Sequence, residues 1–466
     1  MLGVQVAELL VESPPGVDEA LDLVTGFDDA LEGGFGRLGE QRAAALAAFA
    51  AAMGATPLGP ALAEAAEKVA AGSTAGEHLS ALAGGRAALL GSVHDAELGR
   101  LDTALGRTRD SWQEPTPTTE AEADRATNLL AGCRSWLHEL AITGWRGVDH
   151  DLVSAADQTL EALLAEPTLR RLAVLLDGLV AELRASCPVA TMERLPVRRW
   201  ADLWTRAMLL AQPADDRSGG GETVSGRLLI LGVEVHEHGT AVQMQVHGVL
   251  EPAGGGDARL VRTSVAAAKV DTIVGPAVWR LLNDHPVLLK ALAEHRSLEV
   301  TDVPLLGSGD LVWHDDQADA GDPADPFATA RIRLAGALAP AVPPLDRHPV
   351  RICEPVLVEG YTTDGGTFDL DGDTLAVDTG RLPACGPLTP ELVAASTACI
   401  GLIRWDAGRW TLQPLAVQAT VKRTAVEAHN GDWAQGVTDP KAVKAEARTG
   451  DAVAVLRERA GRLLRK

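Results

Sequence analysis

Glutamate and histidine crowd one stretch of this chain: Glu234, His236, Glu237 and His238, with His247 a little further on. Both types ligate zinc, and histidine also moves protons near neutral pH. Either chemistry needs several such groups at one point. Residues 224–250 read as a β-hairpin, so Glu234 and His236 fall on one strand face. A two-residue turn at His238 and Gly239 pairs Val235 with Val242, Val233 with Met244 and Leu231 with Val246. That register sets His247 opposite Ile230, well along the sheet from His236. The expectation is therefore a solvated face of Glu234, His236, Gln243, Gln245 and His247, with the apolar face packed on a core. No metal site is expected there.

Other chemistry-bearing patterns fail on context. Gly34, Gly36 and Gly39 match G-x-G-x-x-G, but a dinucleotide site needs a strand before it, and the preceding residues read as helix. These glycines read as a helix stop and a loop. Residues 364–373, DGGTFDLDGD, resemble a calcium loop that would start at Asp369, with Asp371 and Asp373 as the next ligands. Thr374 and Gly380 then stand where Gly and Glu are required. A hairpin turn at Asp371 and Gly372 is the better account. His138-Glu139 and His236-Glu237 lack the second histidine of H-E-x-x-H, and there is neither a G-x-S-x-G elbow nor a phosphate-binding P-loop. No catalytic residue, cofactor or metal ligand is assigned from the sequence.

The bulk composition narrows the class. A chain of 466 residues is too long for one core. Hydrophobic residues at 46% and charged residues at 23% place it among folded globular proteins. Aromatics are only 3%, so the core must be Leu, Val and Ala with a few Trp anchors. The net charge of −22 disfavours nucleic acid and anionic membrane surfaces as partners. Cys133, Cys187, Cys353, Cys385 and Cys399 are scattered without C-x-x-C, which argues against a zinc ribbon and fits a reducing compartment. No basic segment precedes the first apolar residues, as a signal peptide would require, and no apolar run is long enough to span a bilayer. A cytoplasmic protein is expected.

The elements that must position any site divide the chain. Residues 1–211 read as an all-helical domain, with helices over 41–53, 119–143, 151–165, 168–186 and 196–210, and no fixed repeat period. In the last of these, Trp200, Trp204 and Met208 share one face. Residues 212–223, QPADDRSGGGET, read as a linker. Residues 224–466 read as a β-rich domain with antiparallel hairpins. Strands are expected over 258–268, 298–313, 350–359 and 367–377, a hairpin over 402–421, a helix over 276–295 and a helix capped by Thr389 running to about Cys399. Residues 315–325, DDQADAGDPAD, read as an acidic surface loop. The fold class is therefore α+β.

Residues 440–466 read as a terminal helix. Arg457, Arg459, Arg462, Arg465 and Lys466 concentrate positive charge there, beside an apolar stripe of Val453, Leu456, Ala460 and Leu463. The helix docks on its own domain or presents the cations to a partner; the five basic residues are the candidate partner-binding set.

The runs LPVRRWADLW, from Leu195 to Trp204, and Lys269-Val270-Asp271 through Trp279 carry a resemblance. They are similar to actinobacterial accessory proteins encoded beside MoxR-type AAA+ ATPases, von Willebrand A-domain proteins and SWIM zinc-finger proteins. The resemblance covers mainly residues 195–466. It implies a non-enzymatic adaptor or scaffold for an ATPase-based remodelling, stress or defence system, with a MoxR-type ATPase or a von Willebrand A-domain protein as partner. It carries no site residues. The alternatives are a hydrolase with an unrecognised site, or a small-molecule or metal sensor that uses the polar hairpin face.

Overall fold

The computed structural model describes residues 1, 3–10, 13–113, 123–166, 169–212, 221–239, 241–364, 366–406, 408–438, 443–444 and 453. Helices come first: α1 (Gly3–Leu10), α2 (Val17–Gly33), α3 (Glu40–Ala52), α4 (Gly59–Ala70), α5 (Gly76–Leu105), α6 (Ala123–Thr143), α7 (His150–Ser154), α8 (Asp157–Leu164), α9 (Arg170–Ser186) and α10 (Val197–Leu210). Strands dominate after them, so the chain is α+β, with helices in the N-terminal half and sheets in the C-terminal half.

The helical half is held by the few large side chains that the composition allows. Trp200, Trp204 and Met208 on α10 are buried, as their four-residue spacing predicts. The Trp204 indole donates to the Leu137 carbonyl at 2.9 Å, which satisfies its one polar atom. Truncating such an anchor to Ala costs about 3–5 kcal/mol. Gly34 ends α2 with a positive φ and its N–H donates to Leu31, before a 3₁₀ turn over Phe35–Arg37. The G-x-G-x-x-G pattern thus lies between two helices. Gly144 ends α6 in the same way before a second 3₁₀ turn, Trp145–Gly147. The two glycines meet back to back: a Cβ on Gly144 would fall 2.2 Å from the Gly34 nitrogen. Both positions need glycine for space as well as for φ. No repeat period is visible in the sequence, yet the chain uses this helix–glycine–turn unit twice.

The first sheet contains β1 (Glu222–Glu237), β2 (Ala241–Pro252), β3 (Arg259–Ala268), β4 (Arg296–Leu305), β5 (Asp310–Leu311) and β6 (Ala318–Pro323), with α11 (Pro286–Ala293) between β3 and β4. Its order is β1-β2-β3-β5-β4-β6, and β1 also pairs with β4. The five strands from β1 to β4 therefore close on themselves, which removes most exposed edges. Leu228, Val233, Met244, Val246, Val261, Leu298 and Val303 fill the interior.

The second sheet follows α12 (Pro326–Arg333). It contains β7 (Cys353–Glu359), β8 (Thr362–Asp364), β9 (Thr367–Leu370), β10 (Asp373–Val377), β11 (Ser396–Asp406), β12 (Arg409–Val421) and β13 (Thr424–His429), with α13 (Pro390–Ala394) before β11. Its order is β7-β11-β12-β10-β9-β8, with β13 also on β12. One face packs into the core of the helices through Val356, Val358, Ile403 and Leu412. The other meets the outside of the first sheet, where Leu229, Leu231 and Val249 pack on Leu357, Ala398, Ile400 and Ala416. The layers run helices, second sheet, closed first sheet.

Several local expectations change. The hairpin turn sits one residue further on, with the His238 N–H donating to the Ala241 carbonyl. Val235 therefore faces Met244 and Val233 faces Val246, and a bulge between Ile230 and Gly232 turns Leu231 to the opposite face. The polar face of the hairpin is only partly solvated: Glu234 and His247 are buried beneath the second sheet, while Gln243 stays exposed. The helix expected over 276–295 is a 3₁₀ segment, Gly275–Leu282, and then α11, since Pro286 cannot continue a helix but opens one well. The acidic stretch 315–325 is largely structured: β6 pairs with β4, Asp315 accepts from the Val287 N–H, and Asp325 caps α12. The capped helix at Thr389 stops at Ala394, and β11 starts already at Ser396. Asp371 and Gly372 form the expected turn between β9 and β10, both with positive φ.

Candidate functional site

The bulge in β1 decides what the hairpin face can do. It brings His247 opposite Gly232, so His247 lies diagonally beside Glu234. Gly232 lets the second sheet approach: a Cβ there would lie 2.8 Å from Leu415 Cβ. The result is a buried hub on Glu234, which is only 2% exposed. Its Oε1 lies 3.4 Å from His247 Nε2, 3.4 Å from His236 Nε2 and 4.0 Å from Cys353 Sγ. Its Oε2 accepts from Arg404 Nη2 at 2.7 Å, and Arg404 Nε donates to Gln413 Oε1 at 2.7 Å. Burial opposes the charge on Glu234. The contacts to His236 and His247 and the Arg404 guanidinium outweigh it, and hold the carboxyl far below its ordinary range. Burial pushes the Cys353 thiol up to about 12. Glu234, His247 and Cys353 each offer a ligand atom, and these atoms lie within 4.8 Å of one another.

The residue after Cys353 belongs to a separate network that fixes β7. Glu354 bridges Arg107 at 2.8 Å and Arg109 at 3.0 Å, and Arg109 also pairs with Asp102 at 2.7 Å. Burial would raise the Glu354 carboxyl, but the guanidiniums of Arg109 and Arg107 pull it below its ordinary value. The end of α5 is thereby clamped to the strand that carries Cys353.

A second cluster gathers around a small pocket between the sheets. His295 Nε2 lies 2.7 Å from Asp432 Oδ1, and His429 Nε2 lies 2.8 Å from Glu427 Oε1. The two rings are 4.2 Å apart between centroids. His295, Glu427 and His429 also place one ligand atom each within 4.8 Å of the others. His295 has a φ of 49°, a left-handed conformation uncommon outside glycine. The hydrogen bond that His295 donates to Asp432 raises the His295 pKa, and the one from His429 brings the Glu427 carboxyl down to about 2. The pocket, lined by Gly232, Leu292, His295 and His429, has about 20 Å³ of room. That holds one water or one ion and no organic substrate.

No protein-family model, curated protein or solved structure matches this chain.

A third feature is a cationic patch where α9 and α10 meet the loop before β7. Arg171 and Arg206 approach the same Asp346 oxygen, at 2.8 and 3.9 Å. Arg351 is exposed and acts on Arg206 through its charge. Partial burial, and then the Arg351 charge, push the Arg206 guanidinium down to about 10. Val174, Leu345 and Val350 stand exposed beside these cations, at 62%, 40% and 44%. In a chain of net charge −22 this combination of arginine and bare apolar surface stands out.

The residues singled out in the sequence are partly brought together. Glu234, His236 and His247 converge, while Gln243 stays exposed. Arg457, Arg459, Arg462, Arg465 and Lys466 lie outside the described residues, as does most of the segment read as a linker. Sequence reasoning missed Cys353 and Arg404, which come from other strands, and His295, His429, Glu427 and Asp432, which only the pairing of β13 and the turn before β4 bring together. Local spacing could have linked only Glu427, His429 and Asp432, which lie within six residues of one another; Cys353, Arg404 and His295 reach their partners from distant segments.

Proposed function

We propose that the protein is a non-enzymatic adaptor that docks an acidic segment of a protein partner on the arginine patch. The observation that supports this most is the excess of guanidinium over carboxylate at Arg171, Arg206 and Arg351, beside exposed Val174, Leu345 and Val350. Arginine is enriched at interaction hot spots, and apolar surface left exposed beside it is the kind of patch that partners cover. The partner class suggested by the resemblance is a MoxR-type AAA+ ATPase or a von Willebrand A-domain protein. A cytoplasmic location fits that role, and no helix among the described residues is long and apolar enough to cross a membrane.

The test mixes the purified chain with a purified MoxR-type ATPase and a purified von Willebrand A-domain protein from the same genome. A complex should form with one of them and weaken as salt rises. Arg351→Glu should weaken it about tenfold or more while circular dichroism stays unchanged, which corresponds to about 1.4 kcal/mol. No complex with either protein, or turnover of a generic ester or phosphate by the purified chain, contradicts the proposal and favours a hydrolase.

A further inference from the structure

We propose that Glu234, His247 and Cys353 bind a divalent transition metal of the zinc type at the seam between the two sheets. Spacing carries the inference. Zinc bonds to oxygen and nitrogen at about 2.0–2.1 Å and to sulfur at about 2.3 Å, so tetrahedral ligand atoms stand about 3.3 Å apart for N and O and about 3.6 Å for S and O. Glu234 Oε1 stands 3.4 Å from His247 Nε2 and 4.0 Å from Cys353 Sγ. An N–H···O hydrogen bond would bring the first pair to about 2.9 Å. Elsewhere in this chain histidine–carboxylate contacts do close to 2.7 and 2.8 Å.

The surroundings fit an ion. Glu234 and His247 are 2% and 4% exposed, so the metal would sit shielded from water. The thiolate and carboxylate together match a divalent charge, and binding replaces the thiol proton, which leaves to solvent as the metal–sulfur bond forms. Arg404 on the other Glu234 oxygen is the kind of outer partner that fixes a ligating carboxylate. A water takes the fourth position; His236 touches Glu234 Oε1 at 3.4 Å from the exposed side but lies outside the group of three ligand atoms. The ligands come from β1, β2 and β7, so the ion would tie the closed sheet to the open one.

The test uses the full chain, stripped with a chelator and titrated with Co²⁺ alone or Zn²⁺ alone. One equivalent should bind. The Co²⁺ form should show a thiolate-to-metal charge-transfer band in the near ultraviolet, and Zn²⁺ should raise the melting temperature. Cys353→Ser should abolish the band, and His429→Gln, in the other cluster, should leave it intact. If Cys353→Ser does not fold, His247→Gln decides: the band should persist at saturation with at least tenfold weaker binding. Failure to take up one equivalent, uptake without a thiolate band, or a band unchanged in a folded Cys353→Ser overturns the proposal.

Discussion

The two histidine clusters differ in a way that the residue types alone do not show. At the pocket, each histidine closes on its own carboxylate at ordinary hydrogen-bond distance, and His295, Glu427 and Asp432 keep 33%, 34% and 20% of their side-chain surface. At the hub, one buried carboxylate oxygen stands off from two imidazoles and a thiol at 3.4–4.0 Å. The first arrangement is two histidine–carboxylate hydrogen bonds, already satisfied. The second holds three potential ligand atoms, from Glu234, His247 and Cys353, within 4.8 Å of one another. Distance and burial, rather than composition, separate a polar contact from a ligand set.

The sharpest way to break this comparison is to remove the hub's carboxylate. Glu234→Ala leaves Arg404 without its buried partner and should cost about 3–5 kcal/mol in urea unfolding. A loss under about 1 kcal/mol would mean that the hub is not a buried charged site. This reverses the expectation from sequence, in which the side chain faces water.

The outer cluster should respond far less. Asp432→Asn should cost under about 1 kcal/mol, because its pair with His295 is partly exposed and screened. The pH dependence sharpens the point. The His295 pKa is raised in the folded chain, so the pair's contribution is fully present below the ordinary histidine value of about 6.5. It is lost as pH rises through the folded value. The gap between wild type and Asp432→Asn, followed by thermal unfolding from about pH 5 upward, should therefore narrow with rising pH. A gap that widens with pH would contradict the pairing.

The smallest effect belongs to Gln243, on the hub's own face but exposed. Gln243→Ala should stay within about 0.5 kcal/mol. A large loss there would mean that the second sheet covers more of the hairpin than the structure places beneath it.

The alternation of the hairpin is legible in the sequence: Val233, Val235, Met244 and Val246 do share a face. So are the helical face of Trp200, Trp204 and Met208 and the turn at Asp371 and Gly372. The hub is not, for two physical reasons. The bulge at Leu231 adds one residue that no propensity marks, and this resets every partner beyond it. The covering sheet arrives from β7, β11 and β12, so Cys353 and Arg404 reach Glu234 across more than a hundred residues of chain. Hydropathy alternation cannot report a polar face that a distant strand buries.

X-ray absorption at the zinc edge of the metal-loaded full chain tests the central claim most directly. The account predicts one sulfur at about 2.3 Å together with nitrogen and oxygen ligands at about 2.0–2.1 Å. Of the two candidate ligand clusters among the described residues, only the hub offers a sulfur, that of Cys353. A shell of nitrogen and oxygen alone would place the ion at the pocket or on the surface and contradict the account.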